Sequence, residues 1–425
     1  MVHKKSCQRL LLLSVLLSLP GVVAAEPPKI ALSAGLEFSD NITKAPQRVT
    51  EEWTNKTRLD FKHKLSQSRL KADIAGLAMY EDYQNNIFKD RLTAELRLAG
   101  AYQFSRQFSW LLDDKLSDVP QDRAKPNTPD NTVRLNILRT GPKYTKFWSQ
   151  RSFTDVTAEF IDVAYDGPQT ESQRVRGGVT QNWLYSSNYQ FGLEGVSELA
   201  KIDDVLQTET QSATASVLLG KVFRNGSWLG KVGYTNLTRE SDSAESTVDG
   251  PVAQFEALYK VTGKVDFTFE VGRLLSDSAS DQVLNNFGDL RVVTVVDVVT
   301  QNSGKVALNY EINKRDSYQI SFATVTDDYR DQAFRERNRI TKALWLHSHT
   351  PRLLSELSLS YELEEFSDTE VTTKTWVSGY KLNYFAMKNL RLTTYISYDD
   401  GRNDNTALNY QEVVGGVAVS WISGK

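Results

Sequence analysis

Tight polar breaks return along this chain at a nearly constant interval, and between them apolar and polar residues alternate. The breaks are Ser66-Gln67-Ser68, Ser105-Arg106-Gln107, Ser149-Gln150-Arg151, Ser186-Ser187-Asn188, Arg224-Asn225-Gly226, Thr262-Gly263-Lys264, Lys314-Arg315-Asp316, Thr350-Pro351-Arg352 and Met387-Lys388-Asn389. Most lie roughly 36 to 39 residues apart. Around the fifth, Ala213, Ala215, Val217 and Leu219 alternate with Thr214 and Ser216, and Trp228, Val232 and Tyr234 follow. A period of two is that of a strand with one apolar and one polar face. Asn225-Gly226 between such segments predicts a two-residue hairpin turn with both residues at positive φ.

Between consecutive breaks run a strand, a longer polar loop and a returning strand. This is the pattern of an all-β, up-and-down antiparallel transmembrane β-barrel, of about 20 strands within a range of roughly 16 to 22. Charged residues occupy one face of almost every strand, and no helical pattern exists to cover the other. An open sheet of this size would also leave edges free to aggregate. Closure with the apolar face outward solves both problems. Mean hydropathy is −0.42 and no long apolar run follows the N-terminal segment, which excludes helical spans.

That segment, Lys4-Lys5 followed by the apolar run Leu10–Leu19, then Pro20-Gly21 and Val23-Ala24-Ala25, reads as a secretory signal peptide over residues 1–25. Residues 26–425 then form one barrel, placed in the outer membrane of a Gram-negative cell. Cys7 is the single cysteine and falls within the signal, so no disulfide or thiol chemistry is expected. Two stretches strain the strand count. Asn131–Trp148 is long for one strand, and its Gly141-Pro142 should break a ladder. Leu290–Asn313 is also long, and Gln301-Asn302-Ser303-Gly304 reads as a turn. Either stretch reads as a loop folded into the lumen or as an overhanging strand, and Ser276–Asp289 is a further candidate for such a loop.

The face opposite the apolar one supplies the pore-lining candidates. On the early strands these are Lys56, Arg58, Asp60, Lys62, Lys64, Lys71, Asp73, Arg91, Glu95, Arg97, Arg174 and Arg176. On the late strands they are Glu356, Glu362, Glu364 and Arg391. Interior ion pairing that stiffens the wall and a charged ring that selects a solute are both consistent with this set. Tyr395 is a candidate for stacking on a sugar. Aromatics cluster beside the tight turns, as in a periplasmic girdle: Phe104, Phe108, Trp148, Phe153, Tyr185, Tyr189, Phe223, Trp228, Tyr318, Phe385 and Trp421.

Chemistry-bearing motifs are sparse. His347-Ser348-His349 puts two imidazoles on one strand face with no third ligand nearby, and reads as an interfacial pair at a strand end. No nucleophile elbow, phosphate loop or dinucleotide fingerprint occurs, so neither enzymatic activity nor a cofactor or metal is expected. Asp327-Asp328 and Asp399-Asp400 read as solvated loop charge or as holders of divalent cations that bridge lipopolysaccharide. With 50 basic and 53 acidic residues the chain lacks the basic excess of a nucleic-acid binder.

The segment Gly35-Leu36-Glu37-Phe38-Ser39-Asp40-Asn41-Ile42 and the mid-chain Gly141-Pro142 resemble those of bacterial outer-membrane barrels of the "beta-barrel porin 2" type, associated with exopolysaccharide operons and PEP-CTERM/exosortase systems. The hairpin layout matches over essentially the whole mature chain. Here Trp421 is followed by Ile-Ser-Gly-Lys, which displaces the terminal aromatic usual in barrels. The resemblance implies a channel for exopolysaccharide export, with polysaccharide as substrate, outer-membrane lipid and lipopolysaccharide around it, and periplasmic or inner-membrane export machinery as partners. A general or small-solute porin and a non-conducting structural or adhesion barrel are the alternatives. A loop folded into the lumen would favour one of these two.

Overall fold

The computed structural model describes residues 27–46, 49–122, 125–167, 170–241, 244–279, 296–330, 334–367 and 371–423. The expected signal segment lies outside them. Twenty antiparallel strands form one closed sheet. The first six are β1 (Lys29–Ser39), β2 (Glu52–Ser66), β3 (Leu70–Tyr83), β4 (Arg91–Gln103), β5 (Phe108–Pro120) and β6 (Thr132–Ser149). Next come β7 (Ser152–Tyr165), β8 (Glu171–Leu184), β9 (Tyr189–Asp203), β10 (Glu209–Phe223), β11 (Gly226–Ser241), β12 (Ala244–Thr262) and β13 (Val265–Asp277). The ring is completed by β14 (Val298–Glu311), β15 (Asp316–Tyr329), β16 (Phe334–Thr350), β17 (Leu353–Phe366), β18 (Val371–Met387), β19 (Leu390–Asn403) and β20 (Tyr410–Ile422). Each pairs with the next, and β20 closes on β1 from Ala31↔Ile422 to Ser39↔Val414. Every tight break read from the sequence is a turn in this barrel.

Directly paired residues share a face, so the ladders sort the wall into two. Leu32, Leu92, Val175 and Val232 are 50–65% exposed and stand on the apolar face. Residues this apolar and this open belong against lipid, not water. The other face is the inner one, where side chains converge across strands. Tyr395 of β19, for example, reaches past β20 to donate to Glu37 of β1.

Glycines in the wall accept aromatic rings from the paired strand. Phe61 lies over Gly76 on the outer face, and Tyr410 over Gly401 and Tyr395 over Gly416 on the inner face. The ring fills the space that a Cβ would occupy, which restores packing to a position that otherwise has none.

The structure corrects several local readings. The hairpin at Asn225-Gly226 forms, but its turn residues are Arg224 and Asn225, since Phe223 pairs with Gly226. Asn225 is not among the residues with positive φ. Gly226 is instead a packing residue: its missing side chain admits the carbonyl of Leu258 on β12. Of the two readings of Asn131–Trp148, the overhanging strand holds and the in-folded loop does not, because β6 runs unbroken through Gly141-Pro142 while paired to β5. The ladder to β7 lapses at those two residues and resumes in the same register, Thr140↔Phe160 then Lys143↔Thr157. Gln301-Asn302-Ser303-Gly304 is likewise no turn but the middle of β14, fully paired to β13 and β15.

Strands of up to 19 residues overshoot a membrane that about ten suffice to cross. In the overhang the faces exchange polarity. Arg134 and Asn136 of β6 point outward to Asp118 and Asp114. Val133, Leu135 and Ile137 point inward and join Val119, Ile161, Val163 and Tyr165 in a buried cluster.

Candidate functional site

The ladders place every pore-lining candidate on the inner face: Lys56, Arg58, Asp60, Lys62 and Lys64 of β2; Lys71 and Asp73 of β3; Arg91, Glu95 and Arg97 of β4; Arg174 and Arg176 of β8; Glu356, Glu362 and Glu364 of β17; and Arg391 of β19. Their pairing divides them into two kinds.

Toward the loop end the charges neutralise one another within the wall. Lys56 lies 2.6 Å from Glu37 and 3.3 Å from Glu81, and Arg91 is 2.5 Å from Glu81. Lys44 lies 2.6 Å from Asp399, and Ser39 donates to Glu412 at 2.5 Å. Arg176 donates to Glu198 at 2.7 Å, and Asn338 donates to Glu362 at 2.8 Å. Tyr395, the candidate sugar platform, belongs to this network: one side of its ring lies on Gly416 and its hydroxyl donates to Glu37.

Toward the termini a different pattern holds. One ladder row crosses five strands as Lys29↔Lys62, Lys62↔Ala75, Ala75↔Arg97 and Arg97↔Lys115. Each cation in it stands beside the next or one alanine away. Among the described residues, none of Lys62, Arg97 and Lys115 has a carboxylate at ion-pair distance. The row above carries Asp60 and Glu95, and Asp60 is engaged bidentately by Arg58 at 2.6 and 2.8 Å. The row below carries Asp73, held 3.6 Å from Lys64, and Asp113. These rows wall a recess of about 600 Å³ lined by Lys29, Arg58, Asp60, Lys62, Glu95, Arg97, Lys115 and Ser117. Because strands in a barrel are tilted, a ladder row climbs the wall obliquely, and so does this cationic stripe.

On the far side of the lumen, toward the loop end, the wall opens. β12 pairs with β13 only from Thr262↔Val265 to Ala253↔Arg273. Beyond that point Gly250-Pro251 gives β12 a position without an N–H, which suits an edge. The β13–β14 ladder continues to Asp277↔Val298 and bends inward, so that its former outer face meets the inner face of β8–β12. Leu275 and Val298 pack on Leu237, Val248 and Val252, and Ala279 and Val296 pack on Ala200 and Ile202. A polar latch holds the fold. The fully buried Arg174 grips Asp277 at 2.8 and 2.9 Å and Glu198 at 2.9 Å, and Thr210 donates to Asp277 at 3.1 Å. Arg239 donates to the Val296 carbonyl at 3.0 Å. The candidate in-folded loop Ser276–Asp289 is thus folded inward through Ala279, and its remainder lies outside the described residues.

The turn-side aromatics stand on the outer face or in the turns, with two exceptions. Phe108, Trp148, Tyr189, Phe223, Trp228, Tyr318 and Trp421 face outward by register. Phe104 packs on Tyr102 and Phe108 with ring centroids 4.8 and 5.4 Å apart, and Tyr185 is 85% exposed. Phe153 faces inward against Phe147, and Phe385 inward beside Arg391. Both keep the parity of their own strands, and the extra residue at the adjoining register shift, Phe147/Ser149 or Phe385/Met387, turns over only the residue beyond it. His347 and His349 also face outward beside Trp345, bonded to Asp316 (2.6 Å) and Ser355 (3.0 Å). Neither acidic pair can act as a pair, because adjacent strand residues take opposite faces. Asp327 is inward with Gln301 and Asp399 inward with Lys44, while Asp328 and Asp400 are outward.

Sequence reading missed Lys29, Lys115, Asp277 and Glu198. The first two lie in strands whose alternation was followed only in part, whereas the latch depends on contacts between distant strands.

The fold and its two-faced wall define a transmembrane β-barrel of the outer-membrane type. No family model matches the chain, and no curated protein does. Among solved structures, the siderophore receptor PirA from Acinetobacter baumannii superposes with a TM-score of 0.51 at 8% identity, covering 94% of this chain and 81% of that one. The FrpB iron transporter from Neisseria meningitidis gives 0.50 at 8% identity, covering 93% and 81%. At this identity the likeness is one of fold.

Proposed function

We propose that this protein is a non-enzymatic outer-membrane channel that selects small anionic solutes, narrowed on its loop side by the β13–β14 hairpin. The cationic ladder row Lys29–Lys62–Arg97–Lys115 carries the reading. Like charges set side by side and left unpaired destabilise a wall, unless an anion visits them. The in-folded hairpin favours a constricted channel over a wide conduit. The test is the reversal potential of the refolded protein in planar bilayers under a salt gradient. Anion preference is expected, reduced several-fold by Lys62→Gln, Arg97→Gln and Lys115→Gln together. Cation preference, or a preference the triple variant leaves unchanged, would overturn the reading. Well-folded protein without conductance would point to a structural barrel.

Export of an acidic exopolysaccharide is the second reading, favoured by the Gly35–Ile42 segment. It requires the hairpin to swing aside and export machinery on the periplasmic side. An acidic polymer added to one chamber should then block the current, and indifference to the polymer would remove this reading.

A further inference from the structure

The outer face, apolar over most of its height, carries a patch of cations at the loop end of β16–β19. One ladder row there reads Arg339↔Leu363, Leu363↔Lys374 and Lys374↔Arg402. Neighbouring strands lie about 4.8 Å apart, so the row sets three cations within about 14 Å. Arg335 and Arg337 continue the outward face of β16 above it. Among the described residues carboxylates are fewer: Glu365 serves Arg337 and Arg339 at 3.6 and 3.3 Å, Asp328 pairs with Arg335, and Asp400 with Arg402 at 2.9 Å. Lys374 is exposed and, among the described residues, pairs with no carboxylate.

The depth of the patch is set by the row immediately below, Thr341↔Tyr361, Tyr361↔Trp376 and Trp376↔Asp400. Tyr361 and Trp376 touch with centroids 5.0 Å apart. Amphipathic rings of this kind sit at headgroup level. Trp376 stands about ten residues up β18 from its turn, and at ~3.3 Å per residue and ~40° tilt this is about 25 Å, the height of the apolar band. The cations therefore begin where acyl chains end and phosphates start. The termini lie at the turn end, so this rim faces the outer leaflet.

We propose that Arg339, Lys374 and Arg402 form a docking site for the phosphates of a lipopolysaccharide molecule, whose acyl chains lie on the apolar wall below Trp376. Arginine offers a planar fork to phosphate and Lys374 an uncommitted ammonium.

Native mass spectrometry of the detergent-purified protein would test this, with bisphosphorylated lipid A, dephosphorylated lipid A and phosphatidylglycerol as probes. Each cation near a phosphate contributes about fivefold in affinity, so Arg339→Gln, Lys374→Gln and Arg402→Gln together should weaken bisphosphorylated lipid A about a hundredfold. Lys221→Gln, on the outer face at the opposite rim, should not. Dephosphorylated lipid A should bind the wild type no better than it binds the triple variant, and phosphatidylglycerol, with a single phosphate, should bind more weakly than bisphosphorylated lipid A and lose less on the triple substitution. If the triple variant fails to fold, Lys374→Glu alone should still weaken binding more than fivefold. Undiminished lipid A binding by either variant, or phosphatidylglycerol binding as tight as lipid A, would overturn the proposal.

Discussion

Gly76 illustrates how single positions in this wall are coupled in pairs. Its missing Cβ is the seat of the Phe61 ring from the adjacent strand. Gly76→Ala should therefore cost about 1–3 kcal/mol, as overpacking does. In a Phe61→Ala background the same change should cost little, because the obstructing ring is gone. Urea midpoints in lipid vesicles for the four members of this cycle would measure the coupling, and additive costs would show that the ring does not rely on the glycine. Such pairings are hard to read from sequence, since they need the register between strands as well as the residues. The same holds for Asn225-Gly226. Its hairpin was legible, but whether the glycine serves the turn or the neighbouring strand depends on how close β12 comes.

At the scale of elements, the faces of most strands were legible because alternation is local. Lys62 must face away from Phe61 whatever the rest of the chain does. Legibility failed where long-range pairing overrode local signals, as at Gly141-Pro142, where β5 holds β6 straight across a break in its other ladder. It failed again at the β13–β14 hairpin, whose inward bend is fixed by an arginine about a hundred residues away. Arg174 is the buried cation between Asp277 and Glu198. Removing it leaves the buried Asp277 without a cation and Glu198 with Arg176 alone, and breaking such a buried pair typically costs about 3–5 kcal/mol. The cost should fall on the hairpin, since the barrel ladders around it are unaffected. Arg174→Ala should thus release the hairpin and raise single-channel conductance. It should also make a cysteine at the buried Ser278 react quickly with a maleimide, where in the parent chain it reacts slowly. Unchanged reactivity would show that apolar packing on Leu237, Val248 and Val252 suffices to hold the hairpin in place.

At the scale of the whole molecule, the even strand number sets an orientation on which both the channel and the lipid site depend. Twenty strands put both ends of the barrel on one rim with the tight turns, and the longer loops on the other. In a single-chain bacterial barrel the short turns are periplasmic. Inversion would bring the Arg339–Lys374–Arg402 row to the inner leaflet, where lipopolysaccharide is absent, and would turn the cationic recess toward the cell exterior. The sequence offers a direct way to fix the orientation, because Cys7 is its single cysteine and can be replaced by serine. In that background, a cysteine at Val205, 97% exposed in the β9–β10 loop, should react with a membrane-impermeant maleimide on intact cells. A cysteine at Arg224 in the tight turn should react only after the outer membrane is permeabilised. The reverse pattern would invert the barrel and remove the lipopolysaccharide site with it. The expected pattern would leave the recess open to the periplasm and the hairpin on the outer side, the order in which a solute leaving the cell would meet them.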